Sequence, residues 1–302
     1  MMTQSKFSRR AFGSLSLAVT ARVLVPRRAN AEPKLSDWNN LGARFQEIEH
    51  KSLGRLGVGV IDVAKNAETG YRINELFPLC STFKLLAASA ILKRVDEGRD
   101  ALDTLVKYGS DEVVTYSPRT KDHAGEEGMV LSDICEAAMT LSDNTAGNLM
   151  LKRLGGPAGV TEFARSIGDS VSRLDRTETS LNEAIPGDPR DTTSPIAMAR
   201  DIKVLLFGNV LSEKSKAQLR DWLLANKTSD KRFRAGVPAD WRVGDKTGTG
   251  DRGSTNDVGV FWPPHRPPIV VAVYLTNTTA SPNACNATIV DVVRAVRAAF
   301  DS

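Results

Sequence analysis

The alternation of apolar and polar residues predicts a helix and two strands near the start of the chain. Leucine, phenylalanine and isoleucine recur at helical spacing over Asp37–Ser52, which predicts an amphipathic helix. Valine and isoleucine dominate residues 56–63, and their pattern predicts a strand. The dipeptide Thr69-Gly70 then predicts a turn into a second strand over residues 71–75.

The rest of the chain has the pattern of helices followed by strands. Residues 81–97 are almost wholly apolar and end at Gly98, which predicts a buried helix. Helical patterns dominate the next segment, residues 99–232. Three strands are predicted after it, at 241–246, 256–262 and 269–276, and a last helix is predicted at 287–299. Because strands from both ends of the chain enclose a helical middle, we expect a five-stranded antiparallel sheet flanked by the terminal helices, with an inserted all-α lobe.

Composition supports a globular protein with a sizeable core. The chain has 302 residues, of which 41% are hydrophobic and 25% charged. No run of about 18 uncharged apolar residues is present, so we predict no membrane span. The net charge of +4 depends on six basic residues among residues 1–31, which contain no acid. The remainder has 34 basic and 36 acidic residues, a balance that does not favour a nucleic-acid partner.

The basic N-terminal segment has the features of an export signal. Ser8-Arg9-Arg10-Ala11-Phe12 resembles the twin-arginine signal and is followed by a mildly apolar stretch. Ala29-Asn30-Ala31 has the small residues of a signal-peptidase site, and Val19-Thr20-Ala21 is a rival site. We therefore predict that residues 1–31 are an export signal and that the protein is periplasmic or secreted.

The cysteines and histidines predict neither a metal site nor a disulfide framework. There are three of each, and their spacing matches no zinc motif and no metal-binding histidine pair. We therefore expect a protein that needs no metal and no other cofactor.

Three short motifs carry the candidate chemistry. In Ser81-Thr82-Phe83-Lys84 the lysine lies one helical turn from the serine, where its amine can activate the hydroxyl. A capping serine beside an ordinary lysine would explain this motif alone. However, Ser142-Asp143-Asn144 and Lys246-Thr247-Gly248 follow in order. With all three motifs, the chain resembles the serine β-lactamases and penicillin-binding proteins.

A fourth motif is typical of one class within that group. Glu178-Thr179-Ser180-Leu181-Asn182 matches the Glu-x-x-Leu-Asn of class A β-lactamases, where it lies on an Ω-shaped loop. Arg176 and Asp191 stand where that family has an arginine–aspartate pair near the two ends of the loop. An acyl-serine ester must be hydrolysed, and a carboxylate with an amide can hold the water for this step.

The resemblance implies a two-lobed α/β (more strictly α+β) fold of the β-lactamase and transpeptidase type. Residues 32–77 and 233–302 would form the α/β lobe, and residues 78–232 the all-α lobe with an Ω-type loop at 176–191. Nothing in the sequence suggests an oligomer, so we expect a monomer whose partner is a small-molecule β-lactam.

The resemblance also implies a role for each residue of the site. Ser81 would be the nucleophile, with Lys84 and Glu178 as alternative bases for acylation. Ser142 would relay a proton to the lactam nitrogen. Glu178 would direct the deacylating water together with Asn182.

The remaining implied residues would bind substrate. Asn144 would bind the substrate's amide side chain, and Tyr116 would lie at the mouth of the cleft. The strand edge that receives the substrate carboxylate would consist of Lys246, Thr247, Gly248 and Thr249, and the backbone amides of Ser81 and Thr249 would form the oxyanion hole.

Departures from the family pattern change some of these expectations. Many members have an arginine on the strand after Lys-Thr-Gly, where this chain has Thr255, so Arg232 is expected to supply the guanidinium instead. The partner positions of Cys135 and Cys80 in family disulfides are occupied by Ala88 and Gly250, so we predict three free thiols.

The substrates are expected to be penicillins and at least some cephalosporins. Two alternatives share the three motifs. One is a D,D-peptidase acting on cell-wall peptides, and the other is a penicillin-sensing domain that stays acylated. The presence of Glu178 and Asn182 argues against the peptidase, which lacks a dedicated deacylating carboxylate. A sensor normally needs a membrane anchor and a signalling partner domain, and the sequence predicts neither. The absence of histidine–aspartate ligand motifs excludes a metallo-β-lactamase.

Overall fold

A five-stranded antiparallel sheet forms the centre of the structure. The computed structural model describes residues 1–2 and 37–301. The sheet has the strand order β2-β1-β9-β8-β7, so strands from the two ends of the chain lie side by side. Its strands are β1 (Arg55–Asp62), β2 (Ala67–Tyr71), β7 (Arg242–Thr249), β8 (Thr255–Trp262) and β9 (Ile269–Thr276).

Both faces of the sheet are covered, and the alternation of side chains along β9 shows how. Val271, Val273 and Leu275 join one buried cluster with residues of the two terminal helices, α1 (Asp37–Ser52) and α9 (Pro282–Asp301). Residues 270, 272 and 274 of the same strand point to the opposite face and join the cluster of the central helices. The strand is therefore apolar on both sides, as a central strand must be.

The helical part of the chain packs around one buried helix, α2 (Phe83–Asp96). Its residues 83–92 are all buried, which confirms the prediction from their apolar composition. The other helices of this part are α3 (Leu131–Thr140), α4 (Asn144–Arg153), α5 (Pro157–Ser166), α6 (Pro195–Phe207) and α7 (Glu213–Leu224), whereas the short α8 (Phe233–Gly236) packs against α9 and β7. The sheet, the terminal helices and the helical lobe thus agree with the expected fold class.

The predicted strand over residues 71–75 is wrong. The second strand is Ala67–Tyr71, and it pairs with β1 through a turn at residues 63–66. Asn66 has a left-handed φ of 51°, which closes the turn before Thr69-Gly70 rather than at it. Arg72, with a φ of 47°, then ends the strand. The Thr-Gly pair is part of the ladder, where Gly70 lies opposite Gly59.

Short strands also interrupt the segment predicted as helical. Strands β4 (Leu105–Tyr108) and β5 (Gly125–Val130) form a two-stranded ribbon, and β3 (Phe77–Pro78) pairs with β6 (Thr192–Thr193). Each is too short or too polar to stand out by periodicity. The second pair holds the segment before Ser81 against the end of the 176–191 segment.

Among the described residues, no helix combines the length and the apolar composition that a bilayer crossing requires. The predicted export signal, residues 1–31, lies outside the described residues apart from its first two.

The three cysteines are free and buried. Burial raises the pKa of the Cys80 and Cys135 thiols, because a thiolate loses its hydration there. Both thiols therefore remain neutral and unreactive in the folded protein.

We expect a thiol-specific reagent to modify no cysteine in the native protein and three in the unfolded, unreduced protein. Cysteine modification followed by intact-mass measurement would check this, with Cys135→Ala as a control that lowers the unfolded count to two. A count of one in the unfolded wild type would show that a disulfide forms after all.

Candidate active site

Ser81 lies in a tight turn at the start of the buried helix. A 3-10 turn, Cys80–Thr82, precedes α2, and Cys80 adopts a left-handed φ of 44°. This turn redirects the chain from β3 into the helix, so that Ser81 faces the space between the sheet and the helical lobe. Its side chain is largely buried, at 7% exposure.

Lys84 is wholly buried and is surrounded by oxygens. Its Nζ atom donates to Ser81 Oγ at 2.9 Å, as the one-turn spacing predicts. It also donates to the carbonyl of Ser142 at 2.9 Å and to Asn144 Oδ1 at 2.7 Å. Glu178 Oε1 lies 2.8 Å away and forms an ion pair with it. Burial lowers the pKa of Lys84, although the charge of Glu178 acts in the opposite direction.

Glu178 and Asn182 form the next part of the site. Ser81 Oγ donates to Glu178 Oε1 at 3.0 Å, and Asn182 Nδ2 donates to Glu178 Oε2 at 2.6 Å. Asn182 Oδ1 is buried and accepts no hydrogen bond from any described residue. A carboxylate and an unused amide acceptor therefore lie close to the serine hydroxyl, an arrangement that suits a bound water.

The segment 176–191, which we call the Ω-type loop, is held at its two ends. Arg176 Nε donates to Asp191 Oδ2 at 2.6 Å, and this confirms the ion pair expected from the sequence. Asp191 Oδ1 also accepts the backbone N–H groups of Asp175 and Arg176. The loop carries Glu178 on a cis peptide bond to Thr179.

The Ser-Asp-Asn motif forms the turn into α4. Ser142 has a left-handed φ of 60°, a conformation that costs a non-glycine residue on the order of 1 kcal/mol or more. Asp143 compensates by capping the helix, since its carboxylate accepts Ala146 N at 2.9 Å. The same carboxylate accepts the backbone N–H groups of Arg119 and Thr120. The motif is thus fixed to the loop in front of it.

Tyr116 lies in that loop and marks the rim of the site. Its ring is 59% exposed, and its φ is 61°. The carbonyl of Tyr116 accepts the N–H of Asn144 at 3.0 Å, and Asn144 Nδ2 donates to Thr115 O at 2.9 Å. The backbone of Tyr116 is therefore next to Asn144, and its side chain is exposed to solvent.

Lys246 reaches the site from β7. Its side chain is fully buried, and Nζ donates to Ser142 Oγ at 2.9 Å. Burial, together with the positive charge of Lys84, lowers the pKa of Lys246 well below its usual range. The hydroxyl of Thr247, the next residue, contacts that of Thr228.

Gly248 allows β7 to lie directly against the serine turn. A Cβ at this position would lie 3.1 Å from Leu79 O and 3.2 Å from the Cβ of Cys80. A Cβ at Gly250 would lie 2.7 Å from both the Cys80 sulfur and Asn182 O. Because neither position carries a side chain, the end of β7 lies close to both Ser81 and the Ω-type loop. Thr249 lies between the two glycines.

Arg232 reaches the same strand end from the segment before α8. Its Nη2 atom donates to Thr249 Oγ1 at 2.8 Å, and Nη1 donates to Gly248 O at 2.9 Å and Asn256 O at 2.8 Å. Asn286 Oδ1 accepts its Nε at 2.8 Å. Thr255, which lies opposite Thr249 in the ladder, carries no charge. The only guanidinium that the described contacts bring to this strand end is that of Arg232.

The structure therefore brings the predicted site residues together from distant parts of the chain. Within the described segments, no group of histidine, cysteine, aspartate and glutamate side chains could hold a metal ion.

Two contributors were not singled out from the sequence. Asn148 accepts the N–H of Glu178 at 2.8 Å and donates to its carbonyl at 2.9 Å, so it fixes the Ω-type loop to α4. Its position one turn after Asn144 was the available signal. Gly147 packs against Lys84, where a Cβ would lie 2.7 Å from the lysine Cε. No sequence pattern marks such an approach.

Comparisons with known proteins agree with this geometry. A family model described as the β-lactamase enzyme family matches residues 40–300. The β-lactamase FAR-1 of Nocardia farcinica (strain IFM 10152) is 49% identical over 254 residues, which cover 84% of this chain and 81% of that protein. The β-lactamase CTX-M-8 of Citrobacter amalonaticus is 46% identical over 244 residues, with coverages of 81% and 84%.

A solved structure is similar over the same region. An ancestral class A β-lactamase (GNCA) aligns with a TM-score of 0.85 and 58% sequence identity, and the match covers 86% of this chain and 100% of that one. The matching family model, the relatives and this structure agree with the four motifs, and the chain accordingly belongs to the class A β-lactamases, the serine enzymes that hydrolyse β-lactams.

Proposed function

We propose that this protein hydrolyses the β-lactam ring of penicillins and at least some cephalosporins through an acyl-serine intermediate, and thereby confers antibiotic resistance. The observation that carries the proposal is the position of Ser81 Oγ, 2.9 Å from Lys84 Nζ and 3.0 Å from Glu178 Oε1. A serine is a weak nucleophile unless a base takes its proton, and here two candidate bases are in direct contact with it.

In the acylation step, Ser81 Oγ attacks the lactam carbonyl while its proton leaves. One route passes the proton directly to Glu178. The other uses neutral Lys84, which must first give its own proton to Glu178 across their 2.8 Å contact. The lowered pKa of Lys84 makes this second route accessible. In both routes Glu178 assists acylation, and without it the amine of Lys84, whose pKa burial lowers, remains as a base in contact with Ser81.

The leaving lactam nitrogen must then receive a proton. Ser142 Oγ, in contact with Lys246 Nζ at 2.9 Å, is assigned this relay. The backbone N–H groups of Ser81 and Thr249 are assigned to stabilise the negative charge that develops on the carbonyl oxygen. One such donor is typically worth about 10² to 10³ in turnover.

In the deacylation step, a water attacks the acyl-serine ester. We propose that Glu178 binds this water and removes its proton. Asn182 would hold the same water through its Oδ1 atom, which has an unused acceptor position. Asn148 and the Arg176–Asp191 pair hold the loop that carries both groups. The acyl-serine ester is thus hydrolysed and the enzyme is freed, whereas a D,D-peptidase or a sensor would remain acylated by the β-lactam.

The substrate is held by groups around the serine. Its carboxylate is assigned to Lys246, Thr247, Thr249 and Arg232, with Gly248 allowing the strand to come close. Its amide side chain is assigned to Asn144, and Tyr116 covers the mouth of the cleft.

The same proposal includes the organisation of the chain. Residues 1–31 are assigned as a twin-arginine export signal, and the mature protein as a monomer in the periplasm or the medium. The two lobes would be residues 32–77 with 233–302, and residues 78–232.

We expect Glu178→Ala to be acylated and then to stay acylated, because no carboxylate remains to activate the water. Turnover of a chromogenic cephalosporin should fall by about 10² to 10⁴. Intact mass should show a stable adduct on the variant and none on the wild type. Glu162→Ala, an exposed acid on α5 outside the site, is the control and should turn over normally. A stoichiometric burst with a lasting adduct on the wild type would instead indicate a peptidase or a sensor.

We expect Arg232→Ala to raise KM because it removes a charged donor from the substrate carboxylate. A charged hydrogen bond is worth about 1.5–3 kcal/mol, so kcat/KM should fall by about 10- to 100-fold. A cephalosporin and its carboxylate methyl ester should be compared, with Lys231→Ala as the control. If the ester loses as much kcat/KM as the acid, Arg232 does not act on the carboxylate.

A further inference from the structure

Two buried acids lie together beside the start of the Ω-type loop. Asp201 is on α6 and is 2% exposed, and Asp169 is in the turn after α5 and is 7% exposed. Both line one surface cavity of about 600 Å³, and the negative charge of Asp169 acts on the carboxyl group of Asp201. The reaction proposed above uses neither residue.

Asp169 is held as an acceptor by the backbone of its own turn. Its Oδ1 atom accepts Val171 N at 2.7 Å and Ser172 N at 3.1 Å, and its Oδ2 atom accepts Ser172 N at 3.3 Å. Arg165 Nη1 closes the turn by donating to the carbonyls of Asp169 and Ser172. Asp169 is therefore fixed as a hydrogen-bond acceptor within this turn.

Asp201 has the opposite environment. Its Oδ2 atom is buried and accepts no hydrogen bond from any described residue. A buried carboxylate oxygen without a donor destabilises the ionised form, and a second carboxylate nearby adds repulsion. Protonation removes the charge and supplies a donor that Asp169 can accept.

The charged groups around the pair do not stabilise the ionised form of Asp201 enough to make its protonation unnecessary. Arg165 faces Asp201 from α5 and favours its ionised form, but the repulsion from Asp169 is the larger effect. Tyr274 faces it from β9, and burial raises the pKa of this phenol, which therefore stays neutral. On α6 itself, Arg200 is paired with Glu68 of β2, and Lys203 contacts Asn66.

The turn that Asp169 stabilises leads directly into the Ω-type loop. Ser172 Oγ contacts Thr193 Oγ1 at 2.6 Å, and Arg173 N donates to Thr192 O at 2.9 Å. The next residues are those whose amides bind Asp191. A change at Asp169 therefore reaches the base of the loop within a few residues.

We propose that Asp169 and Asp201 share one proton, and that loss of this proton as the pH rises loosens the turn at residues 169–172 and with it the base of the Ω-type loop. The pair is then a pH-sensitive clamp. The proton goes to solvent, which reaches the pair through the cavity.

The direction of the pH effect follows from proton binding. Burial and the neighbouring Asp169 raise the pKa of Asp201 well above its ordinary value. An aspartate in the unfolded chain has a pKa of about 3.9. Between these two pKa values the folded protein binds more protons than the unfolded one, so stability falls as pH rises through that window.

The first test compares Tm at pH 5, 7 and 9 for the wild type and Asp201→Asn. An asparagine donates to Asp169 at every pH, so the variant should match the wild type at pH 5. At pH 9 it should be more stable, by about 3 °C or more in Tm. Asp201→Ser, also a neutral donor, is a second variant in case the amide does not fit. Asp221→Asn, with a side chain 67% exposed on α7, is the control and should follow the wild type.

The second test measures amide hydrogen exchange of Val171 and Ser172, whose N–H groups bind Asp169. Beyond the intrinsic effect of pH on exchange, protection should fall between pH 5 and 9 in the wild type and remain in Asp201→Asn. The alkaline loss of turnover should shrink in the same variant. This last readout rests on the function proposed above, whereas Tm and exchange do not. If the wild type and both Asp201 variants have parallel Tm profiles, the clamp does not exist.

Discussion

The buried ion pair between Lys84 and Glu178 is the constraint on which the rest of the site depends. Neither side chain is exposed, and removal of one partner from a buried pair typically costs about 3–5 kcal/mol. Lys84 belongs to a helix in the centre of the core, whereas Glu178 is on a surface loop. The loop must therefore be held to the core by other contacts, and Asn148 together with the Arg176–Asp191 pair supplies them.

Strained backbone conformations also occur at three positions of the site. Cys80, Tyr116 and Ser142 all adopt left-handed φ values, which are rare for residues with side chains. Local anchors hold two of these residues: the carboxylate of Asp143 caps the helix after Ser142, and the carbonyl of Tyr116 accepts the N–H of Asn144. The anchors hold reactive groups in place before substrate arrives, so less has to be ordered in the transition state.

The motifs predicted the centre of the site because their chemistry depends on residue type and order. The Ser81–Lys84 contact follows from helical spacing alone. The contacts of Arg232 could not be derived in this way, since they depend on how α8 meets β7. The roles of Asn148 and Gly147 could not be predicted, because an amide and a glycine on a helix have many ordinary uses. In the fold, β9 was predicted correctly as an apolar run, whereas β2 was displaced because Asn66 closes its turn earlier than Thr69-Gly70 would.

The three buried thiols bear on where the chain can fold. No cross-link joins the nucleophile turn to β7 or α2 to α3, and close packing at Gly250 and along α2 holds these segments together instead. Packing of this kind forms as readily in a reducing compartment as in an oxidising one. The fold can therefore be completed in either kind of compartment and does not depend on an oxidising environment.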